Sequence, residues 1–177
     1  MSNPVLTIAT LPRLTAQQLS NFLLSSPSNS QPISSIAIID VRDSDHIGGH
    51  IRHSQHIPSS TLDYQIPDLV RTLKDKKVVV FHCMLSQQRG PSAALRYARE
   101  RERLLAGGGH VAVEEGAEGQ RVCVLEGGFD KWRQQWVTRT LLKWREVCEL
   151  IGHWGRFGED ERLTEGYDKK LWDEGGE

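Results

Sequence analysis

The chain of 177 residues has only three cysteines, Cys83, Cys123 and Cys148, and their spacing forms no pairs. This scarcity argues against a disulfide scaffold of the kind that small secreted domains use. The sequence also lacks a run of about 18 apolar residues, which a transmembrane helix would need. Residues 1–14 show no basic leader with a continuous apolar segment. We therefore expect no secretory signal and a reducing compartment, the cytoplasm or the nucleus.

Net charge is almost absent as well. The 22 basic and 23 acidic residues leave a formal net charge of -1, so bulk electrostatics gives no reason to expect binding to nucleic acid or to a membrane. Four of the seven histidines fall in one short segment, but their spacing matches no closed metal site, and we expect no metal; they are His46, His50, His53 and His56. The composition, 38% hydrophobic and 25% charged, is ordinary for one globular domain.

Strand and helix patterns alternate along the chain. Thr15 and Gln18 fit a capping box, and Leu19, Phe22 and Leu23 follow as the apolar face of a short helix. Further patterns predict strands at 36–41, 77–81 and 122–125, a short strand near His56, and helices from Pro67, over 91–105 and from Phe129 to Trp136. This alternation predicts an α/β fold with a central, mostly parallel sheet and helices on both faces.

The most informative segment is 82–91, which reads His-Cys-Met-Leu-Ser-Gln-Gln-Arg-Gly-Pro between a buried strand and a helix. A loop in that position can direct successive N–H groups and the positive end of a helix at one anion. The same field favours the thiolate form of Cys83, while the planar fork of Arg89 matches two oxygens of a tetrahedral oxyanion. We expect Cys83 to be a nucleophile, although a small buried structural cysteine is the alternative.

The residues between Cys83 and Arg89 then form an oxyanion-binding loop. We expect its backbone amides, with Arg89, to bind the equatorial oxygens of phosphorus or arsenic, and the Ser86 hydroxyl to donate to the leaving thiolate. The loop residues are Met84, Leu85, Ser86, Gln87, Gln88 and Arg89 itself.

Three separated motifs give the chain a family resemblance. The first is Asp40-Val41-Arg42 with Gly48-Gly49-His50-Ile51, the second is the loop from His82 to Pro91, and the third is Leu125-Glu126-Gly127-Gly128-Phe129 with Trp132. They resemble the motifs of rhodanese-fold phosphatases of the Cdc25 type, above all small single-domain fungal and plant members that include tyrosine phosphatases and arsenate reductases. The resemblance implies a rhodanese-like catalytic domain over 1–136 and a C-terminal extension over 137–177.

Loop length separates the branches of that superfamily. Sulfurtransferases of this fold usually have a loop one residue shorter, so five residues between Cys83 and Arg89 favour phosphate or arsenate over sulfane sulfur. The resemblance implies a cysteine-dependent tyrosine or dual-specificity phosphatase without a cofactor, acting on a phosphorylated protein. The alternatives are an arsenate reductase that uses glutathione or glutaredoxin as reductant, a non-catalytic oxyanion-binding domain and a sulfurtransferase.

The chain departs from the Cdc25 pattern in its acids and thiols. Cdc25 enzymes have glutamates at the positions of Met84 and Gln88, so the leaving group needs a proton from another carboxyl or from the substrate; the candidates are Asp43, Asp45 and Glu126. Asp40, Arg42 and His82 are expected to support the loop. Val41 occupies the position of the family's second cysteine. Cys123 is expected to be a buried structural thiol, and its approach to Cys83 is the alternative.

The C-terminal extension fits the resemblance least well. An apolar face formed by Leu141, Trp144, Cys148, Ile151 and Trp154 predicts a helix, which either packs on the same domain or serves as a partner surface. We favour packing on the domain, and we expect a monomer.

Overall fold

The computed structural model describes residues 6–24, 35–106, 119–135 and 164–165. The strands are β1 (Arg13–Leu14), β2 (Ile36–Asp40), β3 (His50–Ile51), β4 (Ser54–His56), β5 (Val78–His82), β6 (Arg121–Leu125) and β7 (Thr164–Glu165). The helices are α1 (Ala16–Leu24), α2 (Leu62–Thr72), α3 (Arg89–Ala106) and α4 (128–135). The predicted C-terminal helix between 137 and 154 lies outside the described residues.

A five-stranded sheet in the order β1-β6-β5-β2-β4 forms the centre of the molecule, and its strand pairs are all parallel. Strands β3 and β7 form a separate antiparallel pair. Because both faces of a parallel sheet are covered, its strands are apolar on both sides. In β5, Val79, Val80 and Phe81 are fully buried. The predicted α/β fold with a mostly parallel sheet is confirmed.

Two hydrophobic clusters cover the two faces of this sheet. Val79 and Phe81 of β5 pack in the cluster that contains the buried residues of α2 and α3. Val80 packs in the other cluster, with Leu19 of α1 and Trp132 of α4. Alternate residues of one strand point to opposite faces of the sheet. Helices α2 and α3 therefore cover one face, and α1 and α4 cover the other. Of the helices in the described ranges, none has the length and apolar content that crossing a bilayer needs.

Helix α2 begins earlier than its proline suggested. We expected Pro67 to open the helix, but the helix starts at Leu62 and contains Pro67 in its interior. A proline there removes one backbone hydrogen bond. The buried stripe of Leu62, Ile66, Leu69 and Leu73 compensates, because it places four large side chains in the core. The apolar period therefore marked this helix better than the proline did.

Helix α1 begins as predicted, but the side chains that it buries differ from the predicted apolar face. The N–H of Thr15 donates to Gln18 Oε1 (2.9 Å), and the N–H of Gln18 donates to Thr15 Oγ1 (3.2 Å), so the capping box is present. Leu19 is fully buried, but Phe22 is 40% exposed. Phe22 was predicted on the apolar face of this helix, but the side chains that α1 buries are those of Ala16, Leu19 and Ser20.

A buried ion pair closes the carboxyl end of β2. Arg42 donates from Nε and Nη2 to Asp40 Oδ2 (2.9 and 2.7 Å), and both side chains have no exposed surface. Arg42 Nη2 also donates to the carbonyl of Gly49 (2.8 Å), and the guanidinium lies 4.0 Å from the ring centroid of Phe129. These contacts attach the 47–49 turn and α4 to the end of β2.

Replacing Arg42 with methionine should destabilise the fold strongly. The substitution leaves the Asp40 carboxylate buried without its cation, which costs about 3–5 kcal/mol of unfolding free energy. The matched control is Arg71→Met, because Arg71 and Asp68 form an ion pair that is 70% and 79% exposed, and this loss should cost about 1 kcal/mol or less. Urea unfolding followed by circular dichroism measures both. Equal destabilisation by the two substitutions would contradict the structural role of the buried pair.

Candidate active site

The three sequence motifs meet at the carboxyl edge of the sheet. β2 and β5 are in register, with Asp40 opposite His82, so the segments that follow them leave the sheet at the same level. The N–H of Val41 donates to the carbonyl of His82 (2.8 Å). The N–H of Phe129 donates to the carbonyl of Cys83 (2.9 Å). Ligands of open α/β sheets bind at this edge.

Cys83 lies at the bottom of the loop that follows β5. Its side chain is nearly buried, and the N–H of Ser86 donates to Sγ (3.2 Å). Ser86 reaches this position with a φ of 51°, a left-handed conformation that folds the loop back over the sulfur. The Ser86 hydroxyl accepts a hydrogen bond from the N–H of Cys83 (3.4 Å), so its donation to the thiolate stays a prediction.

Helix α3 begins directly at the loop. A Cβ atom on Gly90 would lie 3.2 Å from Ser86 Oγ and 3.4 Å from the backbone nitrogen of Cys83. The missing side chain at position 90 therefore lets the first turn of the helix approach the cysteine. The positive end of the α3 dipole adds to the field at Sγ. The sequence identified this helix start, but not the close packing that makes a small residue necessary.

The guanidinium of Arg89 is held by two carboxylates. Nη1 donates to Asp43 Oδ2 (3.0 Å) and Asp45 Oδ1 (2.7 Å), and Nη2 donates to Asp45 Oδ2 (2.5 Å). The Ser59 hydroxyl and the N–H of Ser60 bind the Asp43 carboxylate from the segment before α2. An oxyanion that binds Nη1 of Arg89 must therefore compete with the Asp43 and Asp45 carboxylates for its N–H groups.

These charges keep one another ionised. The hydrogen bond from Arg89 lowers the pKa of Asp45. Burial alone would raise the pKa of Asp43, but hydrogen bonds from 59–60 and Arg89 lower it to about 2. The bond to Asp45 is also the main reason that the pKa of Arg89 is raised. Near neutral pH, neither carboxyl carries a proton while it is bound to Arg89.

Glu126, the third candidate proton donor, lies on the turn between β6 and α4. Lys131 Nζ donates to its Oε1 (2.6 Å), and this hydrogen bond lowers the pKa of Glu126. Its side chain is partly exposed. The role of Asp43, Asp45 or Glu126 as general acid stays a prediction, and the geometry favours Asp43 and Asp45 as anchors of Arg89.

His82 supports the loop from below. It is fully buried, its Nδ1 lies 3.4 Å from the carbonyl of Cys83, and its Nε2 lies 3.8 Å from Asp40 Oδ2. Burial lowers the pKa of His82, so the ring is neutral near pH 7. Burial also opposes ionisation of Asp40, yet His82 and Arg42 together hold the pKa of Asp40 below its usual value. With His82 neutral, Arg42 supplies the compensating charge at that pH.

The histidine-rich segment forms a stack beside the ion pair. The rings of His46 and His56 lie 3.7 Å apart and nearly parallel, and His56 Nε2 is 2.8 Å from the carbonyl of Arg42. His46 Nε2 is 3.4 Å from Asp40 Oδ2. Within the described residues, no group of three or more histidine, cysteine, aspartate or glutamate side chains is arranged to hold a metal ion.

Cys123 lies on the other face of the sheet from Cys83. It pairs with Val80 in the register of β5 and β6, and both belong to the cluster with α1 and α4, whereas Cys83 belongs to the opposite cluster. Cys83 is three positions beyond Val80 along the chain, a rise of about 10 Å in extended backbone. Burial raises the pKa of the Cys123 thiol. Cys123 is thus the buried thiol that we expected, and Cys148 lies outside the described residues.

Comparison with known proteins shows consistent similarity. The model of the Rhodanese-like domain matches residues 23–135. A Cdc25-like phosphatase of Saccharomyces cerevisiae is 34% identical over 146 residues, which cover 76% of this chain and 76% of that protein. An arsenate reductase of Oryza sativa subsp. japonica is 36% identical over 114 residues, which cover 64% of this chain and 75% of that protein.

A solved structure gives a similar result. The structure of a yeast protein tyrosine phosphatase of the rhodanese family aligns with a TM-score of 0.59 at 28% identity. The alignment covers 92% of this chain and 96% of that one. The similarity therefore extends over the sheet, the cysteine loop and the turn before α4.

Replacing Asp45 with asparagine should strengthen the binding of inorganic phosphate. The variant removes a carboxylate that competes for Arg89, and for a partly exposed ion pair this gain is about 1 kcal/mol, or roughly fivefold in Kd. Isothermal titration with phosphate at pH 7 measures the change. Asp63→Asn is the matched control, because Asp63 pairs with the exposed Arg96 of α3. Unchanged affinity in Asp45→Asn, or the same gain in both variants, would contradict the competition.

Proposed function

This chain belongs to the rhodanese-like domain family, and on that premise we propose that it is a cysteine-dependent phosphatase of the Cdc25 type. The proposed substrate is a phosphotyrosine or a similar phosphomonoester on a protein. The single observation that carries the proposal is the Ser86 N–H directed at Cys83 Sγ (3.2 Å) in a loop that ends with Arg89. A thiol that receives an N–H, in a loop that ends with an arginine, supports the proposed roles of Cys83 as nucleophile and Arg89 as oxyanion ligand.

The size of the loop supports an oxyanion as ligand. Five residues separate Cys83 from Arg89, and α3 starts at Arg89 with its positive end toward the loop. A dianionic phosphoryl group matches the N–H groups, the helix dipole and the guanidinium in charge and in geometry. A single sulfane sulfur carries no oxygens, so it would leave the N–H groups of Arg89 without the two acceptors that a phosphoryl group offers. Sulfur transfer therefore ranks below the other functions.

The proposed reaction has two steps. In the first, Cys83 Sγ attacks phosphorus, the S–P bond forms, and the P–O bond to the leaving group breaks as that oxygen takes a proton. In the second, water attacks phosphorus and gives its proton to the carboxylate left by the first step or to a phosphoryl oxygen, and the S–P bond breaks to release inorganic phosphate and the thiolate. Arg89 and the loop amides hold the equatorial oxygens in both steps. No cofactor takes part in this scheme.

The proton for the leaving group has two proposed sources. When phosphate binds Arg89, its negative charge favours the protonated form of the neighbouring Asp45 carboxyl, while Asp43 keeps its hydrogen bonds from Ser59 and Ser60. Asp45 can then donate to the leaving oxygen. The substrate monoanion is the other source, since it carries a proton of its own.

Arsenate reduction is the second candidate, because the similar rice protein is named an arsenate reductase. Arsenate has the same tetrahedral shape and charge as phosphate and fits the same loop. Reduction needs two electrons from thiols, and Cys123 lies on the opposite face of the sheet from Cys83. The reductant would therefore come from outside the described residues, and glutathione or glutaredoxin supplies the required thiol chemistry. We further propose a monomer that acts in the cytoplasm or the nucleus.

The reduced protein should release phosphate from 4-nitrophenyl phosphate without added metal, and Cys83→Ser should lower the rate by at least about 1,000-fold. The loss follows because a serine hydroxyl is not ionised near neutral pH. Cys123→Ser is the matched control and should keep the parent rate, because that thiol is remote from the loop. Colorimetric product release measures all three proteins. A rate that survives in Cys83→Ser would contradict the proposed nucleophile.

The same proteins separate the alternatives. Arsenite formation from arsenate with glutathione and glutaredoxin, dependent on Cys83 and unaccompanied by phosphate release, would favour the reductase. Phosphate binding without either reaction would favour a non-catalytic domain.

A further inference from the structure

The first turn of α4 contacts the cysteine loop through its backbone. The N–H of Phe129 donates to the carbonyl of Cys83, and the N–H of Asp130 donates to the carbonyl of Met84, both at 2.9 Å. First-turn N–H groups have no acceptor within their own helix, so α4 loses nothing by making these bonds. Two consecutive peptide groups of the loop are therefore held by a helix from another part of the chain.

This contact determines where the loop amides point. In a trans peptide, the N–H points opposite to the carbonyl of the same peptide plane, and the described chain has no cis bonds. With the carbonyls of Cys83 and Met84 directed at α4, the N–H groups of Met84 and Leu85 point away from it. The helix thus sets the direction of two amides that can bind an anion beside Sγ.

Gly128 is the residue that makes the contact possible. Its φ is 60°, and a Cβ atom on it would lie 2.5 Å from the carbonyl oxygen of Cys83 and closer still to that of Met84. Real Cβ atoms do not approach oxygens so closely, so any side chain at position 128 must push the loop away. Gly127, the preceding residue, has a φ of 72°, but its Cβ would meet the side chain of Lys131.

Phe129 connects this contact to the buried ion pair. Its N–H binds the loop, while its fully buried ring lies beneath the guanidinium of Arg42. The position of α4 along the loop is therefore set by the core and not by exposed contacts. A rigid support of this kind is what an oxyanion loop needs in order to keep its amides aligned before the anion arrives.

We propose that the first turn of α4 is a positioning element for the cysteine loop, with Gly128 as the residue that allows it to hold the amides of Met84 and Leu85 toward the oxyanion. The proposal deepens the proposed function, on which its catalytic consequence rests. The orientation of the loop itself is independent of which oxyanion is the substrate.

The test compares Gly128→Ala with Gly127→Ala. Both variants place a methyl group at a positive φ and crowd a neighbour, but only in Gly128→Ala is that neighbour the loop. The readout is the rate of alkylation of Cys83 by iodoacetamide as a function of pH, with mass spectrometry to separate Cys83 from Cys123. We expect Gly128→Ala to lower the rate at pH 6 about tenfold, because a loop that is pushed away at Cys83 and Met84 no longer holds the Ser86 N–H at Sγ. Gly127→Ala should follow the parent.

The same alkylation profile in both variants would overturn the proposal. A second measurement on the parent protein covers the case in which Gly128→Ala fails to fold. In an NMR titration with inorganic phosphate, the amide signals of Met84 and Leu85 should shift, whereas those of Phe129 and Asp130, already bound to carbonyls, should move little. Unshifted Met84 and Leu85 signals under saturating phosphate would also overturn it. If phosphate does not bind, the proposed function fails, and the alkylation profiles still decide this proposal.

Discussion

The buried pair of Asp40 and Arg42 is the interaction on which the rest of the site depends. Removing two charges from water is costly, so the pair is stable only where hydrogen bonds and packing compensate it from several sides. Here the compensation comes from the carbonyls of the 47–49 turn and the ring of Phe129. Phe129 also donates its N–H to the carbonyl of Cys83, so α4 connects the pair to the cysteine loop. The contacts that compensate the buried charges thus fix the relative positions of the loop, the turn after β2 and α4.

The site is arranged for anions before an anion is present. Cys83 receives an N–H from Ser86, the loop carbonyls are directed away toward α4, and Arg89 is ionised and held by Asp43 and Asp45. Holding Arg89 in place reduces the freedom that it loses when a substrate binds, but it also makes the substrate compete with carboxylates. A phosphoryl dianion competes better than a neutral or monoanionic ligand, because it replaces the charge as well as the hydrogen bonds. Under the proposed function, the arrangement favours dianionic tetrahedral ligands.

The sequence predicted the parts of the molecule that are stabilised by interactions between residues close together in the chain. The capping box at Thr15, the buried strands and the Cys83–Arg89 loop depend on neighbours in the chain, and the described residues agree with their predicted places. The family assignment followed from three short motifs and is confirmed by the comparisons. The start of α2 was misplaced because a proline was given more weight than the apolar period. Phe22 was assigned to the apolar face of α1, and the sequence does not reveal how little of that face is buried.

The amino-acid sequence by itself determined the α/β alternation, the position of the loop cysteine and the arginine that follows it, because these depend on residue type and short spacing. Only the tertiary structure decided which groups surround them. Asp43 and Asp45 are more than forty residues from Arg89 in the chain, and Gly128 is equally remote from the loop that it supports. Cys123 is separated from Cys83 by the sheet itself, since alternate strand residues point to opposite faces. Such relations arise from strand order and register, which join distant segments through backbone hydrogen bonds that no local pattern encodes.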